Sequence, residues 1–297
     1  MKFEVKAKVG ARFKLVAKKS DGTIARETQW FHNLVLDTGL ERMAIGSYAD
    51  RCCVGTGNST PLASQVALDS FKASTTTAQA NSNGIVTTDP VYGWARRTWR
   101  FDMGVAAGNI SEVGLGWGNA NLWNRALIKD ATGNPTTITV LSDEYLDVIS
   151  EIRCYPTDNI TSEFQLKDKL GAVISTHTCL VRPYVVGAGW PSGNLSVGNI
   201  GALIFSSSIQ SITAWPTGSS QSGGVPSNSV PSPKKIRAIV SLGLTIANMS
   251  HKTIYLSLQN SIFSGGYQFE MTPPISKNST QIMSYTFEFS WDRYEAA

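Results

Sequence analysis

The chain has 297 residues, of which 16% are charged, and its formal net charge is +4. A charged fraction below the roughly 25% usual for soluble domains suits strands joined by tight turns and a surface that packs against other subunits. No run of about 18 apolar residues occurs, and no secretory signal is visible at the start, so we expect cytoplasmic synthesis without membrane insertion.

The sequence of the amino-terminal segment predicts strands with one solvent-exposed face. Basic residues alternate with apolar ones over residues 2–18, which gives a strand a cationic face and a buried face. An arm that binds nucleic acid needs no such alternation, so we expect no nucleic-acid partner. The first predicted strands are residues 2–9, 11–18 and 24–31.

Next in chain order, residues 62–72 predict a short helix, and the Ser/Thr/Asn-rich residues 73–90 predict a loop.

The long polar stretch at residues 187–233 predicts an extended loop or arm. Loops longer than about 12–15 residues are usually functional or disordered, and this one carries Trp190 and Trp215. We therefore predict that both tryptophans anchor a partner. The alternative is that they fold back over a sheet face of their own subunit.

The final stretch predicts an amphipathic strand, because its aromatic residues alternate with polar ones. Together these patterns predict a mainly β fold built from β-sandwich modules with short helices and long loops. Residues 1–156 would form a sandwich-like module, and residues 157–297 would form a second module or complete the same sandwich. The alternating aromatic residues are Tyr285, Phe287, Phe289 and Trp291.

The side chains that commonly bind metals are scattered. Two cysteines are adjacent, no Cys-x-x-Cys spacing exists, and each histidine lacks a second one at ligand spacing. We therefore expect no metal site and no cofactor, with the cysteines as small buried side chains. The residues concerned are Cys52, Cys53, Cys154, Cys179, His32, His177 and His251.

The acidic residues offer two candidate sites for chemistry. Asp143, Glu144 and Asp147 cluster, and cleavage of a glycosidic bond needs two carboxylates, but this cluster is expected in a turn. Glu112 is expected to be a carboxylate at a strand edge or in a turn, paired with Arg125 from the neighbouring strand. We therefore predict that the protein is not an enzyme.

An ordered series of motifs runs through the first half of the chain, with a related ending. Within it, Gly55 and Gly57 are expected to allow the positive φ of a tight turn. In order and type, the series resembles a module of structural proteins from the tail and tail-fibre region of tailed bacteriophages. The segments are WFHNLVLDTGL at 30–40, CVGTGNSTP at 53–61, ISEVGLGW at 110–117, LWNRAL at 122–127, DATGNPTTI at 130–138, DEYLD at 143–147, and the Gly-Gly, Pro-Pro and Ser-Trp pairs within 265–291.

This resemblance implies a non-enzymatic virion protein that acts in tail, baseplate or fibre assembly through subunit–subunit contacts. Its partners would be other tail proteins and copies of itself in a homo-oligomer, and its location would be the tail of the virion. One alternative is a receptor-binding tail protein that contacts a host surface glycan or outer-membrane protein. Others are a capsid decoration protein and, as the enzyme alternative, a tail-associated glycan hydrolase.

Overall fold

The computed structural model describes residues 1–157, 159–168, 170–259 and 263–295, without the side chains of residues 197–201, 259, 263 and 264. Strands make up 59% and helix 2% of the structure, which confirms the mainly β fold. The elements of the first half are β1 (Lys2–Lys18), β2 (Ile24–Glu27), β3 (Phe31–His32), β4 (Leu34–Val35), α1 (Asp37–Arg42), β5 (Arg51–Gly55), β6 (Phe71–Thr75), β7 (Ala78–Val86), β8 (Tyr92–Phe101), β9 (Gly108–Ile110), β10 (Glu112–Gly118), β11 (Asn121–Leu122), β12 (Asn124–Leu127), β13 (Ile138–Val140) and β14 (Tyr145–Pro156). Those of the second half are β15 (Ile160–Lys167), β16 (Val173–Ala188), β17 (Ser196–Phe205), β18 (Ser220–Ser222), β19 (Ser227–Ser232), β20 (Lys235–Leu242), β21 (Ser250–Gln259), β22 (Phe263–Ser276) and β23 (Met283–Arg293).

The described strands form three large sheets and one small pair. The first sheet has the order β19-β20-β23-β1-β14-β8-β7, with β2 and β3 also paired to β1. The second sheet has the order β15-β16-β22-β21-β17-β18. The third sheet is β4-β12-β10-β5-β6 with β11 beside β10, and β13 pairs with β9.

The long strand β1 organises the first sheet. Its first half runs parallel to β23, with Phe3 opposite Phe287, and its second half runs antiparallel to β14, with Arg12 opposite Glu151. The predicted strands 2–9 and 11–18 are therefore one continuous strand. Because β20 and β23 join β1, β8 and β14, the first sheet takes strands from both sides of residue 156.

Aromatic side chains fill the space between the first and second sheets. The ring of Phe3 lies 5.5 Å from that of Phe269 on β22, and Phe269 lies 4.6 Å from Phe287 on β23. The aromatic residues of β23 are buried as their period-two spacing predicted. Burying such large apolar side chains supplies much of the free energy that stabilises a sandwich core.

The helix predicted at residues 62–72 is wrong, since this segment consists of turns and bends that lead into β6. Leu62 and Val66, the apolar residues at helical spacing, are 59% and 46% exposed, so a helix here would have had no apolar face to bury. The backbone N–H of Leu62 donates instead to the side chain of Gln65.

Two predicted loops contain strands. Residues 73–90 include the end of β6 and all of β7, and residues 187–233 include β17, β18 and β19. Both β7 and β19 lie at an end of the first sheet and are largely exposed. An exposed edge strand needs no alternation of apolar and polar residues, and so the sequence pattern did not reveal it. In the described part of the chain, no helix is long and apolar enough to cross a membrane.

Candidate functional site

Glu112 and Arg125 form a buried ion pair within the third sheet. They lie on the adjacent antiparallel strands β10 and β12, and neither side chain is exposed. The Arg125 Nε donates to Glu112 Oε2 at 2.8 Å. The pairing expected from the sequence is therefore confirmed.

Glu112 also accepts hydrogen bonds from the loop that follows β5. The backbone N–H groups of Gly57, Asp69 and Ser70 donate to its carboxylate at 2.8, 3.1 and 2.8 Å. Neither Gly55 nor Gly57 has a positive φ, so that expectation is wrong. These glycines instead allow close approach, since an added Cβ would lie 2.6 Å and 2.5 Å, respectively, from Glu112 Oε1.

The guanidinium of Arg125 forms hydrogen bonds with side chains of the same loop. It donates to Asp69 Oδ2 at 2.8 Å and to Gln65 Oε1 at 2.9 Å. Together, Arg125 and Glu112 give the polar groups of residues 56–70 hydrogen-bond partners. In a helix, such partners would have come from the backbone of the segment itself. The motif residues thus brace a surface loop.

Two members of the predicted acidic cluster are held in ion pairs. Asp147 on β14 accepts two hydrogen bonds from Arg100, both at 2.7 Å, and pairs with Lys18. Burial acts to raise the pKa of Asp147, but the hydrogen bonds from Arg100 and Lys18 outweigh it and the pKa is lowered. The pKa of Glu144 is also lowered, first by the backbone N–H of Leu141. The structure therefore splits the cluster, with Asp143 in the predicted turn and Asp147 on a strand.

Three arginines share a single carboxylate on the outer face of the first sheet. Glu151 on β14 is almost fully buried and accepts from Arg12 on β1, from Arg96 on β8 and, at 2.7 Å, from Arg153. Burial acts to raise the pKa of Glu151, yet the three hydrogen bonds lower it. Since one carboxylate neutralises only one of three guanidinium groups, the surface around Glu151 is cationic.

Aromatic rings cover the guanidinium groups around Glu151. Trp30 lies under both Arg12 and Arg96, at 4.5 Å and 5.3 Å from ring centroid to Cζ. Arg96 also lies over Trp94, and Arg153 lies 4.7 Å above Tyr92. Such stacking leaves the planar faces covered while the N–H edges remain available for hydrogen bonding.

A cleft of about 490 Å³ opens beside this cationic surface, and we call it the Tyr155 cleft. Several of the sequence motifs meet there although they are far apart along the chain. The lining residues are Gly10, Ala11, His32, Asn33, Leu34, Thr60, Pro61, Arg125, Ala126, Leu127, Lys129, Gly133, Pro135, Arg153, Tyr155, Tyr294 and Glu295.

The Tyr155 cleft has tyrosines along one side. The rings of Tyr155 and Tyr294 are stacked at 3.9 Å and 12°, and Tyr92 lies 5.1 Å from Tyr155 on the neighbouring strand. Gly10 makes room for this stack, because a Cβ there would lie 3.3 Å from the Cβ of Tyr294.

Cationic groups also face the Tyr155 cleft. His32 lines it beside Lys129 and Arg153, with its side chain still exposed to solvent on one side. Partial desolvation, followed by the charges of Arg153, Arg12 and Lys129, lowers the pKa of His32. Sequence reasoning missed this site. The available signal was the alternation of aromatic and basic residues on the outer face of β8 and β14, where Trp94 lies opposite Arg153.

Trp190 and Trp215 lie apart from the Tyr155 cleft and contact their own subunit. Trp190 packs edge-on against Trp99 at 5.7 Å, and its Nε1 donates to the carbonyl oxygen of Ala49. Trp215 is 40% exposed and lies 4.5 Å from Tyr255 and 4.7 Å from Tyr184, on the second sheet. Their assignment as partner anchors stays a prediction.

The cysteines and two histidines are buried structural side chains. All four cysteines are free, and burial raises the pKa of Cys154 and of Cys179 to about 12. His177 contacts the carbonyl oxygen of Pro273, and His251 contacts the hydroxyl of Tyr285. Among the described residues, no group of three or more His, Cys, Asp or Glu side chains could hold a metal ion.

Comparison with known proteins returned no match, since no family model, curated protein or solved structure is significantly similar to this chain.

Proposed function

We propose that this protein is a non-enzymatic structural protein of a tailed-phage virion that acts in tail, baseplate or fibre assembly. Its work would be to hold neighbouring subunits together, either copies of itself or other tail proteins. The phage assignment rests on the ordered motifs of the sequence. The assembly role rests on the edge of the first sheet.

The observation that carries the assembly role is the composition of β7. This strand has nine residues without a charge or a proline, and its only strand partner in the described part of the chain is β8. Proteins usually protect a long edge strand with charges, proline or shortness, because its free N–H and C=O groups otherwise pair with another chain. The other outer strands of the first and second sheets carry such features: β18 has three residues, β19 has Pro231, and β15 has Glu163 and Lys167.

The braced motif loop supports the same proposal. Glu112 is occupied by Arg125 and by three backbone N–H groups, which fits a residue that stabilises a module more than one that reacts with a substrate. A rigid module with one unprotected edge suits repeated pairing with identical or related subunits. Two copies of β7 related by a twofold axis would continue the sheet across the interface.

Two measurements test the proposal. Light scattering on the full chain should give an assembly larger than a monomer, and Ala80→Lys/Ser82→Lys should shift it to the monomer without changing its thermal midpoint. Ser279→Lys, at an exposed turn, is the matched control and should leave the assembly intact. Antibodies against the protein should label the tails of phage particles from the producing host. A monomer at every concentration, together with particles that lack the chain by mass spectrometry, would overturn the proposal.

A further inference from the structure

We propose that the Tyr155 cleft is a binding site for an acidic sugar, meaning a hexose unit that carries a carboxylate or a phosphate. This inference goes beyond the assembly role, since β7 does not line the cleft. It rests on the charge of the cleft, on its tyrosine side, and on its size.

The charge of the Tyr155 cleft favours the binding of an anion. Lys129 is exposed, and no described residue pairs with its ammonium group. Arg153 lines the cleft beside it and shares Glu151 with Arg12 and Arg96. Arg125 also lines the cleft, but it is already paired with Glu112 and Asp69. Apart from that group, the acidic residues in and beside the cleft are Glu151 and Glu295, so the four permanent cations of Lys129, Arg153, Arg12 and Arg96 face two carboxylates. An entering carboxylate or phosphate would therefore gain charge-assisted hydrogen bonds without first breaking an ion pair of Lys129.

The pKa of His32 should respond to a bound anion. No described residue hydrogen-bonds to its ring, and its pKa is already lowered by partial desolvation and by the cations of Arg153, Arg12 and Lys129. Glu151 acts in the opposite direction, and Glu295 lies in the same cleft. A bound anion would offset the repulsion from the cations, so the pKa of His32 should rise when the ligand binds.

The tyrosine side and the neutral polar groups favour a sugar as the bearer of the charge. Tyr155 and Tyr294 offer aromatic surface, on which the C–H faces of a pyranose ring pack well. Thr60 and Asn33 line the cleft nearby and supply a hydroxyl and an amide that suit sugar hydroxyl groups. A cleft of about 490 Å³ has room for one or two sugar rings.

The same chemistry fits nucleic acid less well. Binding a single strand requires a groove that follows several successive phosphates, with bases stacked along it. Here the cations gather around one point, and Tyr155 and Tyr294, stacked on each other, offer one aromatic platform and not a row of them. A short oligonucleotide is therefore a competing outcome of the test.

The test is an NMR titration of the full chain with glucuronate, glucose 6-phosphate, glucose, inorganic phosphate and an oligothymidylate. We expect glucuronate or glucose 6-phosphate, or both, to shift the His32 ring signals and raise the pKa of His32. Comparing these two ligands shows whether the cleft prefers a carboxylate or a phosphate. Glucose and inorganic phosphate should each bind at least about tenfold more weakly, because each supplies only part of the contacts.

Variants assign the binding to the cleft. Lys129→Ala, at an exposed position, should weaken binding of the acidic sugar by about tenfold, and Tyr294→Ala should weaken it while leaving inorganic phosphate unaffected. Lys72→Ala, an exposed lysine on β6, should change nothing. The proposal is overturned if neither acidic sugar binds, if inorganic phosphate binds as tightly as the sugars, if Lys129→Ala has no effect, or if the oligonucleotide binds most tightly through the same residues.

Discussion

Arg125 and Glu112 are joined across two strands by an ion pair in which both side chains are fully buried. Removing Glu112 takes away the buried counter-charge of Arg125 and leaves it only Asp69, whose side chain is partly exposed. The pair also holds a loop, because the Glu112 carboxylate accepts the backbone N–H groups of Gly57, Asp69 and Ser70. Loss of the pair should therefore affect both global stability and local protection.

We expect Glu112→Gln to lower the free energy of unfolding by about 3 kcal/mol, because Arg125 loses its buried counter-charge. Hydrogen exchange at the amides of Gly57, Asp69 and Ser70 should accelerate in the same variant, as each loses a charged acceptor. Glu27→Gln is the control, since Glu27 forms an exposed pair with Lys14 and should cost less than about 0.5 kcal/mol. Equal effects of the two substitutions in urea denaturation would contradict this account.

Gly57→Ala should be destabilising by about 2 kcal/mol for a steric reason. The new Cβ would lie 2.4 Å from the Cβ of Asp69 and 2.5 Å from Glu112 Oε1, so the braced loop would have to shift. Gly243→Ala is the matched control, because nothing lies within 4 Å of a Cβ at that position. Its thermal midpoint should be unchanged or slightly raised.

The strands whose faces differ in environment could be predicted from the sequence. In β1 and β23, apolar side chains alternate with polar ones because one face is buried and the other is wet. The pairing of Glu112 with Arg125 followed from their places on two neighbouring strands of the motif series.

The edge strands and the Tyr155 cleft could not be predicted in this way. Every residue from Ala78 to Asn83 on β7 is exposed, so its polarity carries no period, and polar composition alone suggested a loop. The cleft forms where β1, β14 and the segment after β23 come together, with Gly10 leaving room for Tyr294. Such contacts depend on the register of distant strands, which local patterns do not specify.

The buried imidazole of His251 should make the protein less stable as the pH falls below about 6.5, the ordinary value for histidine. Burial lowers the pKa of His251, and although the hydrogen bond to the carbonyl oxygen of Ala247 acts in the opposite direction, the charge of Lys277 adds to the lowering. Between the lowered pKa and the ordinary one, the unfolded chain binds a proton that the folded chain does not, so stability rises with pH.

The measurement is the urea midpoint of unfolding at several pH values between 5 and 8. His251→Gln should lose part of the slope, which for one proton is at most about 1.4 kcal/mol per pH unit. His32 has a lowered pKa as well and adds a slope of the same sign, so His32→Gln should remove a separate part. A His251→Gln profile identical to that of the unsubstituted protein would exclude His251 as a source of the pH dependence.

Trp190 and Trp215 should respond differently to removal, although the sequence placed them in one arm. Trp190 packs on the buried ring of Trp99 and donates a hydrogen bond to Ala49, so Trp190→Ala should lower the free energy of unfolding by about 3 kcal/mol. Trp190→Phe keeps most of the apolar contact and should cost less.

Trp215 is the better test of the predicted partner contact, because 40% of it is exposed while its ring still rests on Tyr184 and Tyr255. If it anchors a partner, Trp215→Ala should reduce incorporation into particles or adsorption to cells by far more than its effect on the thermal midpoint explains, since truncation at an interface hot spot costs about 2 kcal/mol or more of binding. Val225→Ala, which removes an apolar side chain that is 71% exposed, is the control for nonspecific loss of surface area. If particle incorporation and adsorption fall only as far as thermal stability does, Trp215 packs on its own sheet and does not anchor a partner.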